Sequence, residues 1–370
     1  MTKHNCRKMA TGCMGLSMAA ALMTLAAASQ AAQNRYAQSN LVSDLPGVAQ
    51  LQDTNLVNSW GISFSATSPF WIADNGSGVS TLYVVTNDTN GAPVVTRQAL
   101  VVNIPPGGGQ GTPTGTVFNN LGGFNGDIFL FVSEDGTISG WRGSLGTNAE
   151  TLVPASTNNV YKGMTLATNS DGAPILLAAN FRQGTVDEYD TNSALVAQFA
   201  DTNGTTGFAP FGMQMVNGTI YVTFAKQDAV KHDDVAGRGN GVIDTFDPLT
   251  GTFTRFATGT AIRRGKVSAM NSPWGIAVAP DSFGIHGGQL LIGNFGNGTI
   301  MTFDPVKGKF KGLLNAVKGG SVKIDGLWAL AFGNGAGAGD TNTLFFTSGP
   351  DNESHGLMGQ LTPFVKTKHK

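Results

Sequence analysis

The chain is short of cysteine and of charge, and both shortages exclude chemistry. Its 370 residues hold 2 cysteines, Cys6 and Cys13, both near the N-terminus. Beyond them no disulfide, thiol nucleophile or cysteine-ligated metal can form. Charged side chains make up 13% of the chain, about half the usual quarter. Net charge is −1, so no basic field exists to hold nucleic acid or an anionic membrane. His-Glu-x-x-His and Gly-x-Ser-x-Gly are absent. The glycine-dense Gly333–Gly339 has no lysine or helix after it and reads as a loop rather than a nucleotide cradle.

One short apolar run stands out. Met14–Ala28 follows the positive Lys3, Arg7 and Lys8 and precedes the small residues Ser29-Gln-Ala-Ala32. That order predicts a cleaved export signal over residues 1–32 rather than a membrane span of ~20 residues. Cleavage removes both cysteines and three basic residues, leaving 20 basic against 24 acidic side chains. The expected product is a periplasmic or extracellular protein without a membrane anchor, acting as a monomer. Residues 33–365 form one domain, and 366–370 a basic tail.

Glycine is what the chain has in excess, 51 residues, with near-average hydrophobicity. Short apolar runs separated by glycine turns predict antiparallel meanders. The clearest is Asn271–Asp304, with strands around Trp274–Val278, Leu290–Gly293 and Thr299–Phe303. Its opening Trp274-Gly-Ile276 matches Trp60-Gly-Ile62. Anchoring glycines recur at Gly61, Gly115, Gly163, Gly212, Gly275 and Gly326, at separations of 54, 48, 49, 63 and 51. A period near 50 predicts an all-β, six-bladed β-propeller. Asn40–Asp44 is expected to complete the last blade from the other end of the chain, protecting an open edge. Each anchoring glycine is expected where inner strands crowd the axis. Ile62, Met164, Met213 and Ile276 should then pack between blades.

Three groups of polar residues are candidates for chemistry. Asp74, Asn180 and Asn294 each end a second strand, four residues before a turn glycine. Oxygen ligands converging on an axis suit Ca²⁺ or another divalent metal, whereas turn capping explains the same pattern. Lys231-His-Asp-Asp234 lies in the longest insertion and offers His232, Asp233 and Asp234 for a metal or proton transfer. Glu353 and His355 sit in a loop between the last strands, where a carboxylate can orient an imidazole.

Asn40–Asp44, Asn58-Ser-Trp-Gly-Ile62, Lys231–Gly237, Gly293–Gly298, Gly326-Leu-Trp-Ala-Leu330 and Phe346–Pro350 with Glu353-Ser-His-Gly356 together resemble an uncharacterised family of exported bacterial β-propeller proteins. The resemblance runs from about Tyr36 to Leu361 and implies the fold and export, but no reaction. More distantly the blades are similar to NHL-repeat propellers, gluconolactonase-like calcium propellers and streptogramin lyase. The gluconolactonase likeness implies a divalent metal held by residues of the type of Asp74, Asn180 and Asn294. The lyase likeness implies a mouth histidine of the kind of His355. Two functions stay open. One is a secreted binding propeller for a protein, glycan or small molecule. The other is a metal-assisted hydrolase or lyase, lactonase-like, at the axial mouth.

Overall fold

The structure is a computed structural model and describes residues 35–202, 204–258 and 269–364. The expected export signal and the basic tail lie outside them. The chain is an all-β propeller of six four-stranded antiparallel blades, the last carrying one extra short strand on its edge. Blade 1 shows the pattern. Its inner strand Ser59–Ser63 is followed outward by Phe70–Asp74, Val79–Asn87 and Pro93–Asn103. The inner strands of blades 2 to 6 are Pro113–Phe118, Tyr161–Thr168, Phe208–Val216, Pro273–Val278 and Leu327–Phe332. Second strands are largely buried because both faces meet a neighbouring blade; Phe70–Asp74 and Leu290–Asn294 are buried at every position.

Ring closure follows the expectation. Tyr36–Ser43 pairs antiparallel with Leu357–Pro363 as the fourth strand of blade 6, and Leu51–Gln52 adds to its edge in parallel. Strands from both ends of the chain therefore share one sheet, and the first and last blades are held together without an open edge.

Every inner strand carries the same irregularity. Pairing skips two residues in each blade: Trp60-Gly61, Thr114-Gly115, Lys162-Gly163, Phe211-Gly212, Trp274-Gly275 and Trp328-Ala329. A bulge of this kind bends the strand and re-aims a side chain. The glycine permits close approach. A Cβ on Gly163 would sit 2.8 Å from both Met213 N and Phe211 O of blade 4, and one on Gly275 2.5 Å from Trp328 O of blade 6. The sixth anchor is thus Ala329 rather than Gly326. Gly326 precedes its strand, at φ +60° against the backbone of Gly349. The residue after each bulge packs against the preceding blade, as expected: Met164 with Leu130 and Val132, Met213 with Ile175 and Leu177, Ile276 with Tyr221 and Ile243.

Candidate functional site

The bulges decide what faces the axis. Their leading residues are Trp60, Thr114, Lys162, Phe211, Trp274 and Trp328. Four are aromatic, and they fill the axis. Trp60 stacks on Trp328 at 3.5 Å, Phe295 stacks on the Trp328 ring at 3.9 Å, and Trp274 meets Trp60 and Trp328 edge-on. Such pairs add to the burial of large apolar area. Lys162 is the one cation in this ring. It is 1% exposed, with Nζ 5.0 Å from the centroid of the Trp60 ring.

A buried ammonium requires partners. Lys162 Nζ donates to Glu134 Oε1 at 2.5 Å and to Asp233 Oδ1 at 3.3 Å. Burial pulls the Lys162 pKa down, but Glu134 and Asp233 outweigh it and hold it above its ordinary value. Glu134 Oε2 accepts from Asn75 Nδ2 at 2.9 Å. Asn58 Nδ2 donates to Asn75 Oδ1 at 3.2 Å and to Glu353 Oε2 at 2.8 Å, while its Oδ1 accepts the Trp328 indole N–H at 3.2 Å. On the other side His232 Nδ1 lies 2.8 Å from Asp233 Oδ1. A continuous polar chain therefore runs from Glu353 through Asn58, Asn75, Glu134, Lys162 and Asp233 to His232, beside the aromatic plug.

Loop geometry places the two outlying groups. Residues 227–240 and 349–356 connect the second and third strands of blades 4 and 6, where the other blades use short turns. In the blade 4 loop, Asp228 Oδ1 accepts the His232 N–H and Asp228 N–H donates to Asp233 O, closing a turn with Lys231 at φ 57°. In the blade 6 loop three consecutive non-glycine residues are left-handed: Asp351, Asn352 and Glu353, at φ 56°, 52° and 65°. Such backbone is costly for L-residues and persists only where surrounding contacts enforce it. Here Glu353 N–H donates to Gly349 O, Asp351 N–H to Asp325 Oδ2 and Asn58 N–H to His355 O.

The titrating groups are set by these neighbours. Burial pushes the Glu353 carboxyl up to about 7, against the opposing hydrogen bond from Asn58. The His232 hydrogen bond lowers Asp233 to about 2 despite burial, and the same bond raises His232. Burial raises Asp234, whose Oδ2 has no hydrogen-bond partner among the described residues. At neutral pH Glu353 is thus divided between its acid and its carboxylate form.

Of the residues expected from sequence, Glu353, His232 and Asp233 converge here. Asp234 is adjacent, and the Lys162 charge acts on it. His355 does not join them. Its Nδ1 bonds Asp44 Oδ2 at 2.7 Å, and Asp44 Oδ1 also accepts the Gly356 N–H, so His355 serves the closing seam.

The Asp74, Asn180 and Asn294 column is corrected. Each turns into its own blade. Asp74 Oδ2 accepts from Thr81 N–H and Oγ1–H. Asn180 bonds Asp187, Asn159 and the Gln183 N–H. Asn294 bonds Thr299, Ala269 O and the Asn271 N–H. Strand side chains alternate, and the axial residue is the next one along. Asn75, Glu134, Phe181 and Phe295 are those residues. The ligand atoms that do cluster belong to Glu134, His232 and Asp233, all within 4.8 Å of one another. Hard oxygen and imidazole donors suit a divalent ion in type. The Lys162 ammonium already binds two of the three, however, so a cation there would have to displace it.

Lys162, Glu134, Asn58 and Asn75 escape the motif reading. Their signal is nonetheless present. Lys162 breaks the aromatic pattern before an anchoring glycine, and Glu134 follows the polar end of a second strand.

No known protein-family profile matches the chain. Two uncharacterized proteins of Acanthamoeba polyphaga mimivirus are similar in sequence. One is 29% identical over 341 residues, covering 87% of this chain and 78% of that protein. The other is 27% identical over 340 residues, covering 87% and 84%. Among solved structures, a streptogramin B lyase aligns with a TM-score of 0.50 at 12% identity, covering 88% of this chain and 97% of that one. An auxiliary nutrient binding protein from Bacteroides thetaiotaomicron aligns at 0.52 and 12%, covering 83% and 69%. These likenesses establish the six-bladed propeller fold, and the sequence relatives this chain resembles are uncharacterised viral proteins.

Proposed function

We propose that the protein is a binding propeller that takes a small polar ligand at the mouth formed by Lys162, Glu134, Asp233, His232 and Glu353. The observation that carries this reading is the buried Lys162 with its carboxylate partners, joined by two amides to Glu353. A rigid fold gains little from so many linked polar groups beside an aromatic plug, because a buried ion pair stabilises weakly. It does gain a pre-organised set of donors and acceptors. Three carboxylates against one lysine favour a ligand rich in hydroxyl or ammonium donors. The test is a calorimetric screen of neutral sugars, polyols and small amines. A hit should weaken at least tenfold in Asp233→Asn and in Glu353→Gln. A hit unaffected by both variants refutes the assignment of this mouth.

The Glu353 carboxyl near 7 favours a second reading, a hydrolase or lyase using Glu353 as acid or base. A lactone and ester screen tests it. Turnover should show an inflection near pH 7 that Glu353→Gln abolishes. We further propose that the ligand is met outside the cytoplasm, on the strength of residues 1–32. Recovery of the full N-terminus from exported or whole-cell protein would refute that.

A further inference from the structure

We infer that the opposite mouth of the propeller is a second binding site, for a small uncharged ligand with an apolar body. A cavity of about 280 Å³ lies there, at the lower edge of the range for small-molecule sites. All six inner strands line it beyond their bulges. Met164, Met213, Ile276 and Leu330 form its apolar wall, each at most 6% exposed. The two methionines supply an adaptable surface. Exposed Asn120 and Gln214 sit among the lining residues and connect it to solvent. No lining residue is ionisable. This mouth is therefore opposite in character to the one holding Lys162, and the tryptophan plug separates them.

Trp274 is among the lining residues and is 8% exposed, so its indole resonance reports an occupant of the cavity. An ion is disfavoured, because nothing in the wall offsets its lost hydration.

The experiment uses the full chain, ¹⁵N-labelled, with benzamide and benzoate as probes of matched shape and different charge. Trp274→Phe assigns the Trp274 indole resonance. Benzamide should shift that resonance saturably, and benzoate should bind at least tenfold more weakly. Met164→Trp or Met213→Phe should abolish the shift by filling the cavity, whichever of the two folds. Glu353→Gln should leave it unchanged, which separates this site from the charged mouth. An unmoved Trp274 resonance at saturating benzamide overturns the inference. So does equal binding of benzoate, or binding that survives in a folded cavity-filled variant.

Discussion

Replacing Lys162 by Met tests whether the charged cluster is wired as described. Methionine matches the lysine stem in volume, so packing against Trp60 and Phe181 is kept and the ammonium alone is lost. Glu134, whose side chain is 14% exposed, then keeps Asn75 but loses its cation. Breaking a buried pair from one side costs ~3–5 kcal/mol. Because Glu134 retains some contact with water and one amide, the low end applies, ~3 kcal/mol. At ~2 °C per kcal/mol for a chain of this size, the melting temperature falls by ~6 °C. The second half of the experiment is the double variant Lys162→Met with Glu134→Gln, which removes the stranded charge as well. It should recover at least half of the loss, because contacting groups are not additive. Urea unfolding with unchanged m-values provides the measurement. The sign with pH is also fixed. A lysine raised in the folded state contributes stability in full below its unfolded value and loses it only as pH climbs through the higher folded one. The ammonium's own share of the Lys162→Met deficit should therefore persist up to about pH 9, above the range in which Glu353 titrates. A loss below ~1 kcal/mol, or a double variant no better than the sum of its parts, would refute the wiring.

Three further outcomes follow from the same geometry. Glu353, raised from 4.5 to about 7, contributes stability below its unfolded value that disappears as pH rises through about 7. That rise corresponds to at most ~3 kcal/mol, so Glu353→Gln should melt above the parent at about pH 8.5 and converge with it near pH 5. Gly163→Ala drives a Cβ against the bulge backbone of blade 4 and should cost ~1–3 kcal/mol by chemical denaturation; a neutral result would mean that the blades are not in tight backbone contact. Chelator treatment should leave the melting temperature within ~1 °C, since the Lys162 ammonium holds the place a cation would take, and a larger fall would reinstate a structural metal.

Much of the fold was legible because its period is written in glycine. Gly61, Gly115, Gly163, Gly212 and Gly275 recur where an inner strand meets its neighbour, and at Gly61, Gly163, Gly212 and Gly275 a Cβ would clash with the neighbour's backbone. The sixth blade escaped by three residues, because Ala329 fills the position and Gly326 serves a different turn. The repeated polar column lies one residue before the axial position, which Asn75, Phe181 and Phe295 occupy. Asp74, Asn180 and Asn294 repeat because each holds its own blade's strand ends together. Repetition of that kind reports architecture. The functional candidates break the repeat instead: Lys162 in a ring of mostly aromatic residues, and Glu134 where the other blades carry the uncharged Asn75, Phe181, Ala225, Phe295 and Gly349.

By itself the sequence determined the number of blades, the closing strand and the inter-blade packing. These depend on local periodicity and on where a Cβ is tolerated. Only the tertiary structure decided which polar groups meet. Asn58, Asn75, Glu134, Lys162, Asp233 and Glu353 come from blades 1, 2, 3, 4 and 6, nearly 300 residues apart at the extremes. Their meeting depends on the direction each bulge and loop gives a side chain. A one-residue shift along a strand reverses that direction, and no spacing rule in the sequence records it.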